Sequence, residues 1–148
     1  MNDLRDLYQE VIFDHYKKPR NCHSLECANH KANGHNSLCG DQLTVYLKIV
    51  DGVVEDLSFE GLGCAISTAS ASLMTEAVKG KKVEQVQHMF EGFHHMITDP
   101  TPAPHPELGK LEVLAGVREF PARVKCATLA WHTLHAALKD QQAPVTTE

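Results

Sequence analysis

The chain has 148 residues, of which 43% are hydrophobic and 22% are charged, a balance typical of a globular protein and not of a disordered one. At this length we expect one domain over residues 1–148, able to fold without a disulfide or a metal. The formal net charge of −5 and the lack of a long basic run argue against nucleic acid or an anionic membrane as a partner.

No apolar run approaches the ~20 residues that a membrane-spanning helix needs. The first ten residues are polar and lack the basic start and apolar stretch of a secretory signal. We therefore expect a cytoplasmic protein with no membrane partner. Five cysteines in such a chain indicate thiol or metal chemistry rather than disulfides.

The first 40 residues predict one helix and a long loop. Apolar side chains fall on one face of a helix from about Asp3 to Lys18, and Pro19 ends it. Residues 19–40 are rich in asparagine, so we expect a loop there, with one edge strand near Glu26–Lys31.

The clearest β pattern is an antiparallel hairpin over Leu43–Phe59. Apolar and polar residues alternate on both sides of Asp51-Gly52, a dipeptide that favours a tight hairpin turn. The glycines of Gly61-Leu62-Gly63 are expected to break the second strand.

The second half of the chain predicts helices. They are expected at Cys64–Lys79 with Gly80 after its end, around Val83–Ile97, near Glu107–Ala115, and after Pro121. Residues 100–106 hold four prolines and predict a stiff extended connector, and the tail from Gln141 is expected to be frayed. This order predicts an α+β fold, with a small antiparallel sheet of about three strands packed on one face by several helices.

Three cysteines fall where predicted elements meet. Cys39 precedes the hairpin, Cys64 lies between strand and helix, and Cys126 lies near the start of the last helix. A thiol at a helix N-terminus has a lowered pKa, and the thiolate is the form that attacks or binds metals. The spacing of these cysteines fits no zinc finger or ribbon. Two interpretations therefore stay open. The residues could form one site, made of Cys39, Asp41, Cys64 and Cys126, or the cysteines could be inert buried side chains.

Four sequence blocks, occurring in order between about residues 7 and 138, resemble the SufU branch of the U-type iron–sulfur assembly proteins. They are Leu7–Tyr16 with Pro19-Arg20-Asn21, Leu38–Asp41, Gly61–Ser67 with Ala69–Ser72, and Arg123–Trp131. The chain also resembles IscU-type scaffolds, but it has Lys125 where those proteins place a histidine ligand. Its stretch between Cys64 and Cys126 is also longer, around residues 90–112, and both departures favour the SufU branch.

The resemblance implies a U-type domain with a SufE/IscU-like fold and a zinc ion held by Cys39, Asp41, Cys64 and Cys126. It implies a SufS-type cysteine desulfurase as partner, with Cys39 as the acceptor of persulfide sulfur and iron–sulfur assembly proteins downstream. We expect a partner side chain, such as histidine, to take over one zinc position and release Cys39 for attack. Arg123 and Lys125 could balance the negative charge of three thiolates and a carboxylate around Zn²⁺.

Two other functions use the same residues. The four ligands could hold a [2Fe–2S] cluster on an assembly scaffold, because such clusters also take thiolate ligands. A zinc-stabilised binding module without sulfur chemistry would have an inert Cys39.

The remaining cysteines and histidines have simpler interpretations. Cys22 and Cys27, with the nearby His23, His30 and His35, are interpreted as loop residues, because their spacing matches no metal motif. The pairs His94/His95 and His132/His135 are interpreted as surface or packing residues, although His132 could border the cysteine site. The serines at 67, 70 and 72 are interpreted as small residues at a helix contact.

Overall fold

The computed structural model describes residues 3–37, 39–99, 106–140 and 143–147. Helices and a four-stranded mixed sheet confirm the predicted α+β class. The elements are α1 (Asp3–Lys17), β1 (His30–Asn36), β2 (Asp41–Val50), β3 (Val53–Leu62), α2 (Ala65–Val78), α3 (Val83–Thr98), a 3₁₀ segment (Pro106–Glu119), α4 (Pro121–Leu138) and β4 (Val145–Thr146). The four α-helices confirm those predicted before Pro19, after Cys64, around Val83–Ile97 and after Pro121.

The predicted hairpin is confirmed as β2 and β3, joined at Asp51 and Gly52. Both turn residues have positive φ, 52° and 75°, as a tight hairpin of this type requires. Strand β3 ends at Leu62, within the predicted break at Gly61-Leu62-Gly63, although Gly61 itself still pairs with Leu43. Its φ of 153° and a close approach to the Gln42 carbonyl leave no room for a Cβ, so the glycine permits the pairing.

Strand β1 corrects the prediction for residues 19–40. It covers His30–Asn36 and pairs antiparallel with β2. The prediction of an edge strand near Glu26–Lys31 overlaps it only at His30 and Lys31, and the loop predicted for the rest of this segment is wrong. The segment carries no apolar alternation, because its inward positions are Ala32, Gly34 and Asn36. A Cβ on Gly34 would overlap the Thr133 hydroxyl, so this small residue is what lets α4 pack against β1.

The tail and the strand count also differ from the prediction. Val145–Thr146 forms β4, parallel to β1, so the sheet has the order β3-β2-β1-β4 and is mixed, not purely antiparallel with about three strands. The Thr147 hydroxyl donates a hydrogen bond of 3.1 Å to the Lys125 carbonyl. The expected fraying is therefore wrong for residues 145–147, because backbone pairing with β1 and this bond hold them. Gln141 and Gln142 lie outside the described residues.

The short helix predicted near Glu107–Ala115 is instead a longer 3₁₀ segment, kinked at Gly109. Gly109 has a φ of 53° and divides the segment into two helical parts. Of the proline-rich connector, residues 100–105 lie outside the described residues, and Pro106 begins the 3₁₀ segment.

The core lies between the helices and one face of the sheet. The alternating inward residues of β2, such as Val45 and Leu47, are fully buried. Trp131 of α4 stacks on Phe93 of α3 with ring centroids 4.9 Å apart. This stacking holds α4 against α3, while the close approach of Gly34 to Thr133 holds α4 against the sheet. Among the described residues, no helix combines the length and the hydropathy needed to cross a membrane.

Candidate metal centre

Three predicted ligands meet at the end of the sheet nearest the start of α4. Cys39 lies in the short connection between β1 and β2, Asp41 is the first residue of β2, and Cys126 lies in the second turn of α4. One donor atom from each lies within 4.8 Å of the other two. Donors on a single zinc are about 4 Å or less apart in a tetrahedron, so small side-chain shifts would suffice for a common ion.

Cys64 lies beside this group but outside the set of three. It is the N-cap residue of α2, and its Sγ atom accepts a hydrogen bond of 3.4 Å from the backbone N–H of Ser67. Its own backbone N–H donates to the Oδ1 atom of Asp41 at 2.8 Å. The fold thus brings three of the four predicted ligands together and places Cys64 beside them, with its sulfur bonded to the N-terminal end of α2.

The second carboxylate oxygen of Asp41 fits a metal ligand. Asp41 is fully buried, and its Oδ2 atom has no hydrogen-bond partner among the described residues. Burying an unpaired carboxylate oxygen is costly, and a cation among the neighbouring sulfur atoms would offset that cost. Two or three thiolates with a carboxylate form a donor set that suits zinc.

The three donors differ in exposure. Cys126 and Asp41 are fully buried, whereas Cys39 is half-buried. Burial raises the pKa of the Cys126 thiol, and hydrogen bonding with Cys39, Asp41 and Cys64 raises it further. A divalent cation bound among these groups would instead favour the thiolate form. Of the three donors, Cys39 is the one that an incoming reactant can reach.

Arg123 supplies the positive charge expected near the site. Its Nη1 atom lies 3.9 Å from the Cys39 sulfur and 4.0 Å from the Cys126 sulfur. The pKa of Arg123 is raised, first by its hydrogen bond to Cys126 and then by the charges of Cys64, Cys126 and Cys39. The exposed Lys125 makes no hydrogen bond or ion pair through its ammonium group to any residue that the structure describes, so its predicted supporting role stays a prediction.

Two positioning features were not foreseen as such. The Ser70 hydroxyl donates a hydrogen bond of 2.6 Å to the carbonyl of Ala127, which ties α2 to α4 one residue after Cys126. A Cβ on Gly63 would lie 2.8 Å from the Oδ1 atom of Asp41, so the missing side chain leaves room for that carboxylate. A glycine next to a candidate ligand was the available signal, but sequence alone did not show which group it makes room for.

The other cysteines and histidines lie away from this group. Cys22 and Cys27 are exposed free cysteines and join no cluster of three or more metal donors among the described residues. His132 packs against α3, where its ring lies 5.3 Å from Phe90, and it does not contribute a donor to the cysteine cluster.

Apolar surface borders the site. Leu62, two residues before Cys64, is 80% exposed, and Phe120, three residues before Arg123, is 54% exposed. Next to Arg123 lies a groove of about 430 Å³, lined also by Tyr8, Ile66 and Phe120. Exposed apolar groups beside a reactive site are typical of a surface that binds another protein.

Comparison with known proteins places the chain among iron–sulfur assembly proteins. Residues 7–127 match the family described as NifU-like N terminal domain. The chain is 42% identical over 140 residues to "Zinc-dependent sulfurtransferase SufU" of Bacillus subtilis (strain 168), with 95% of each chain covered. It is 40% identical over 139 residues to "Iron-sulfur cluster assembly scaffold protein IscU" of Streptococcus pyogenes serotype M1, covering 94% of this chain and 87% of the relative.

A solved structure is similar to this chain in both fold and sequence. The crystal structure of a putative scaffold protein for the SUF system from Fervidobacterium islandicum AW-1 has a TM-score of 0.83 and 34% identity, and covers 90% of this chain and 98% of that one.

Proposed function

This chain belongs to the family of NifU-like N-terminal domains, and we propose that it is a zinc-dependent sulfurtransferase of iron–sulfur cluster assembly. In this proposal Cys39 takes sulfur from a SufS-type cysteine desulfurase and passes it to downstream assembly proteins. The observation that carries the proposal is that, of three donors within 4.8 Å of one another, only Cys39 is not fully buried. The 42% identity to the SufU of Bacillus subtilis supports it.

In this proposal Cys39, Asp41, Cys64 and Cys126 hold the zinc. The ion would keep their thiols deprotonated at neutral pH and protect them from oxidation. Asp41 contributes its unpaired Oδ2 atom, while its Oδ1 atom stays bonded to the backbone of Cys64. Three sulfur ligands match zinc well, and the carboxylate is the harder, less matched one.

The transfer step requires a free thiolate at Cys39. The Cys39 sulfur attacks the outer sulfur of the persulfide on the desulfurase, forming a new S–S bond. The S–S bond of the donor breaks, and the desulfurase cysteine leaves as a thiolate. No oxidant is needed, because one persulfide replaces another.

Arg123 has a defined role in this step. Its guanidinium group faces both the Cys39 and the Cys126 sulfur atoms, so it stabilises the negative charge that remains when the site carries several thiolates. In the proposal the exposed Phe120 and the groove beside Arg123 face the desulfurase. We place the reaction in the cytoplasm, where cysteines stay reduced.

The direct test is desulfurase turnover on L-cysteine with and without this chain, using a SufS-type enzyme. We expect the chain to stimulate turnover, and Cys39→Ser to abolish the stimulation. Cys27→Ser is the matched control, because Cys27 is exposed and outside the cluster, and it should behave as the unaltered chain. A Cys39→Ser variant that still stimulates turnover would contradict the transfer step.

The alternative is a scaffold on which a [2Fe–2S] cluster is assembled by the same ligands. The 40% identity to the IscU scaffold of Streptococcus pyogenes favours it. Metal analysis after anaerobic purification separates the two functions. A colourless protein with one zinc per chain supports the sulfurtransferase, and a brown protein with visible absorption supports the scaffold. A zinc protein that leaves desulfurase turnover unchanged would instead be an inert binding module.

A further inference from the structure

Two histidines from different helices make an edge-to-face ring contact on the side of the molecule formed by α3 and α4. The ring centroids of His94 in α3 and His132 in α4 lie 5.8 Å apart, with the ring planes at 74°. Neither ring makes a hydrogen bond to any residue that the structure describes. The nitrogen atoms of both rings are therefore not committed to other partners within the described chain.

The spacing of the two rings fits a shared metal ion. A ligating nitrogen about 2.1 Å from zinc puts the ring centre about 3.2 Å from the ion. Two rings on one ion then have centres about 4.5 Å apart in neighbouring octahedral positions, about 5.2 Å apart at the tetrahedral angle, and up to about 6.4 Å apart on opposite sides of the ion. The observed 5.8 Å lies inside this interval.

The surroundings favour the neutral imidazole, which is the form that binds metals. Burial lowers the pKa of His132, and the charges of His94 and His135 lower it further. Two positive rings this close would repel each other, whereas a single divalent cation between them would satisfy both.

His135 has a different role from the other two rings. It stacks on Phe90 with centroids 4.9 Å apart and an interplanar angle of 11°, and its Nδ1 atom is buried without a partner in the described part of the chain. Phe90 also lies 5.3 Å from His132 and 6.2 Å from His94. Phe90 thus packs against all three histidine rings. Of His94 and His132, His94 is the exposed side chain.

We propose that His94 and His132 form a second metal site, which binds a divalent cation of the zinc and nickel class across α3 and α4. Imidazole is a good ligand for these ions, and water completes the coordination. With two protein ligands, the site binds more weakly than the cysteine cluster and exchanges its metal freely. His132 lies six residues beyond Cys126, about 9 Å along α4, so this proposal does not depend on the proposed sulfur chemistry.

The test is calorimetric titration of Ni²⁺ into the zinc-loaded full chain, with a zinc indicator present in a parallel titration. We expect one nickel ion per chain and no zinc release. His94→Ala and His132→Phe should each weaken binding by about tenfold or more, because the second imidazole binds intramolecularly. His88→Ala, an exposed histidine of the same helix α3, is the control and should leave binding unchanged.

A second readout locates the ion. Substoichiometric Ni²⁺ should selectively broaden amide resonances around residues 94 and 132 in NMR spectra. Absence of nickel binding, equal weakening by His88→Ala, or nickel binding that releases zinc would overturn the proposal. If His132→Phe fails to fold, His94→Ala decides the question, because its side chain is exposed.

Discussion

The Oδ1 atom of Asp41 accepts a hydrogen bond of 2.8 Å from the backbone N–H of Cys64, while its Oδ2 atom is buried without a partner among the described residues. One carboxylate therefore joins the start of β2 to the start of α2 and still has an oxygen left for a cation. The positions of two candidate ligands are linked by this single side chain.

Replacing Asp41 by asparagine should weaken zinc binding without unfolding the site. The amide oxygen can still accept the bond from Cys64, but the amide nitrogen is not a zinc ligand. We expect zinc affinity to fall by at least about tenfold while some zinc stays on the sulfur atoms, as measured by competition with a chelator. Asp51→Asn, in the β2–β3 turn, is the control, and equal affinities for the two variants would show that Asp41 is not a ligand.

Removing the guanidinium group should slow sulfur transfer. Arg123→Ala leaves the Cys39 and Cys126 sulfur atoms without their nearby cation, so we expect stimulation of the desulfurase to fall by about tenfold, or about 1.4 kcal/mol. Lys125→Ala is the matched control, two residues away and without an ion pair among the described residues, and its activity should be nearly unchanged. If Lys125→Ala lost more desulfurase stimulation than Arg123→Ala, Lys125 and not Arg123 would be the cation that acts at the sulfur atoms.

Stability should fall in mild acid because of His15. This side chain is 1% exposed, and its Nδ1 atom lies 2.7 Å from the Ser72 hydroxyl. Burial lowers the pKa of His15, and Arg20 and Lys110 lower it further, against the opposing effects of Glu76 and Asp14. The unfolded chain therefore takes up a proton at higher pH, near the ordinary value of 6.5, than the folded one. The stability that the neutral ring contributes is complete above that pH and is lost as the pH falls below it.

Urea midpoints measured at several pH values between 7.5 and 5 test this expectation. His15→Gln should show a shallower loss of stability than the unaltered chain, and His88→Gln should not. The urea midpoint of His15→Gln should still fall somewhat with pH, because burial also lowers the pKa of His132 and His135. Parallel curves for all three proteins would exclude His15 as a cause.

The contact between β1 and α4 should tolerate no side chain at residue 34. Gly34→Ala would place a Cβ against the Thr133 hydroxyl, so we expect a loss of about 1–3 kcal/mol in unfolding free energy. Adding Thr133→Ala should recover part of this loss, giving a favourable coupling in a double-mutant cycle. Gly116→Ala, where a Cβ meets nothing within 4 Å, should have little effect in the same thermal or urea unfolding experiments.

The elements that sequence predicts correctly are those with a strong periodic pattern. The β2–β3 hairpin alternates apolar residues about a turn dipeptide, and the helices carry an apolar face. Strand β1 was placed wrongly because its inward residues are alanine, glycine and asparagine, which are read as a loop. Its strand conformation comes from pairing with β2 and packing under α4, which are contacts distant in sequence.

The candidate site shows a similar division. The sequence blocks and their family resemblance predict Cys39, Asp41, Cys64 and Cys126 as ligands, and the fold brings three of them within 4.8 Å of one another, with Cys64 linked to Asp41 through its backbone N–H. The contact of Arg123 with the sulfur atoms could not be predicted from sequence, because it depends on which face of α4 packs toward the β1–β2 connection. The pairing of His94 with His132 was likewise hidden, since it depends on how α3 packs on α4.

The connection between β1 and β2 is only four residues long, and the Asn36–Asp41 pair fixes both of its ends. At about 3.3–3.6 Å per extended residue, a connection this short keeps Cys39 within a few ångströms of the sheet end. In the proposed function, a sulfur atom on Cys39 would therefore be unable to move between two distant proteins, as it could on a long flexible arm. Donor and recipient would have to visit the same face of the molecule in turn, and each would exclude the other while bound.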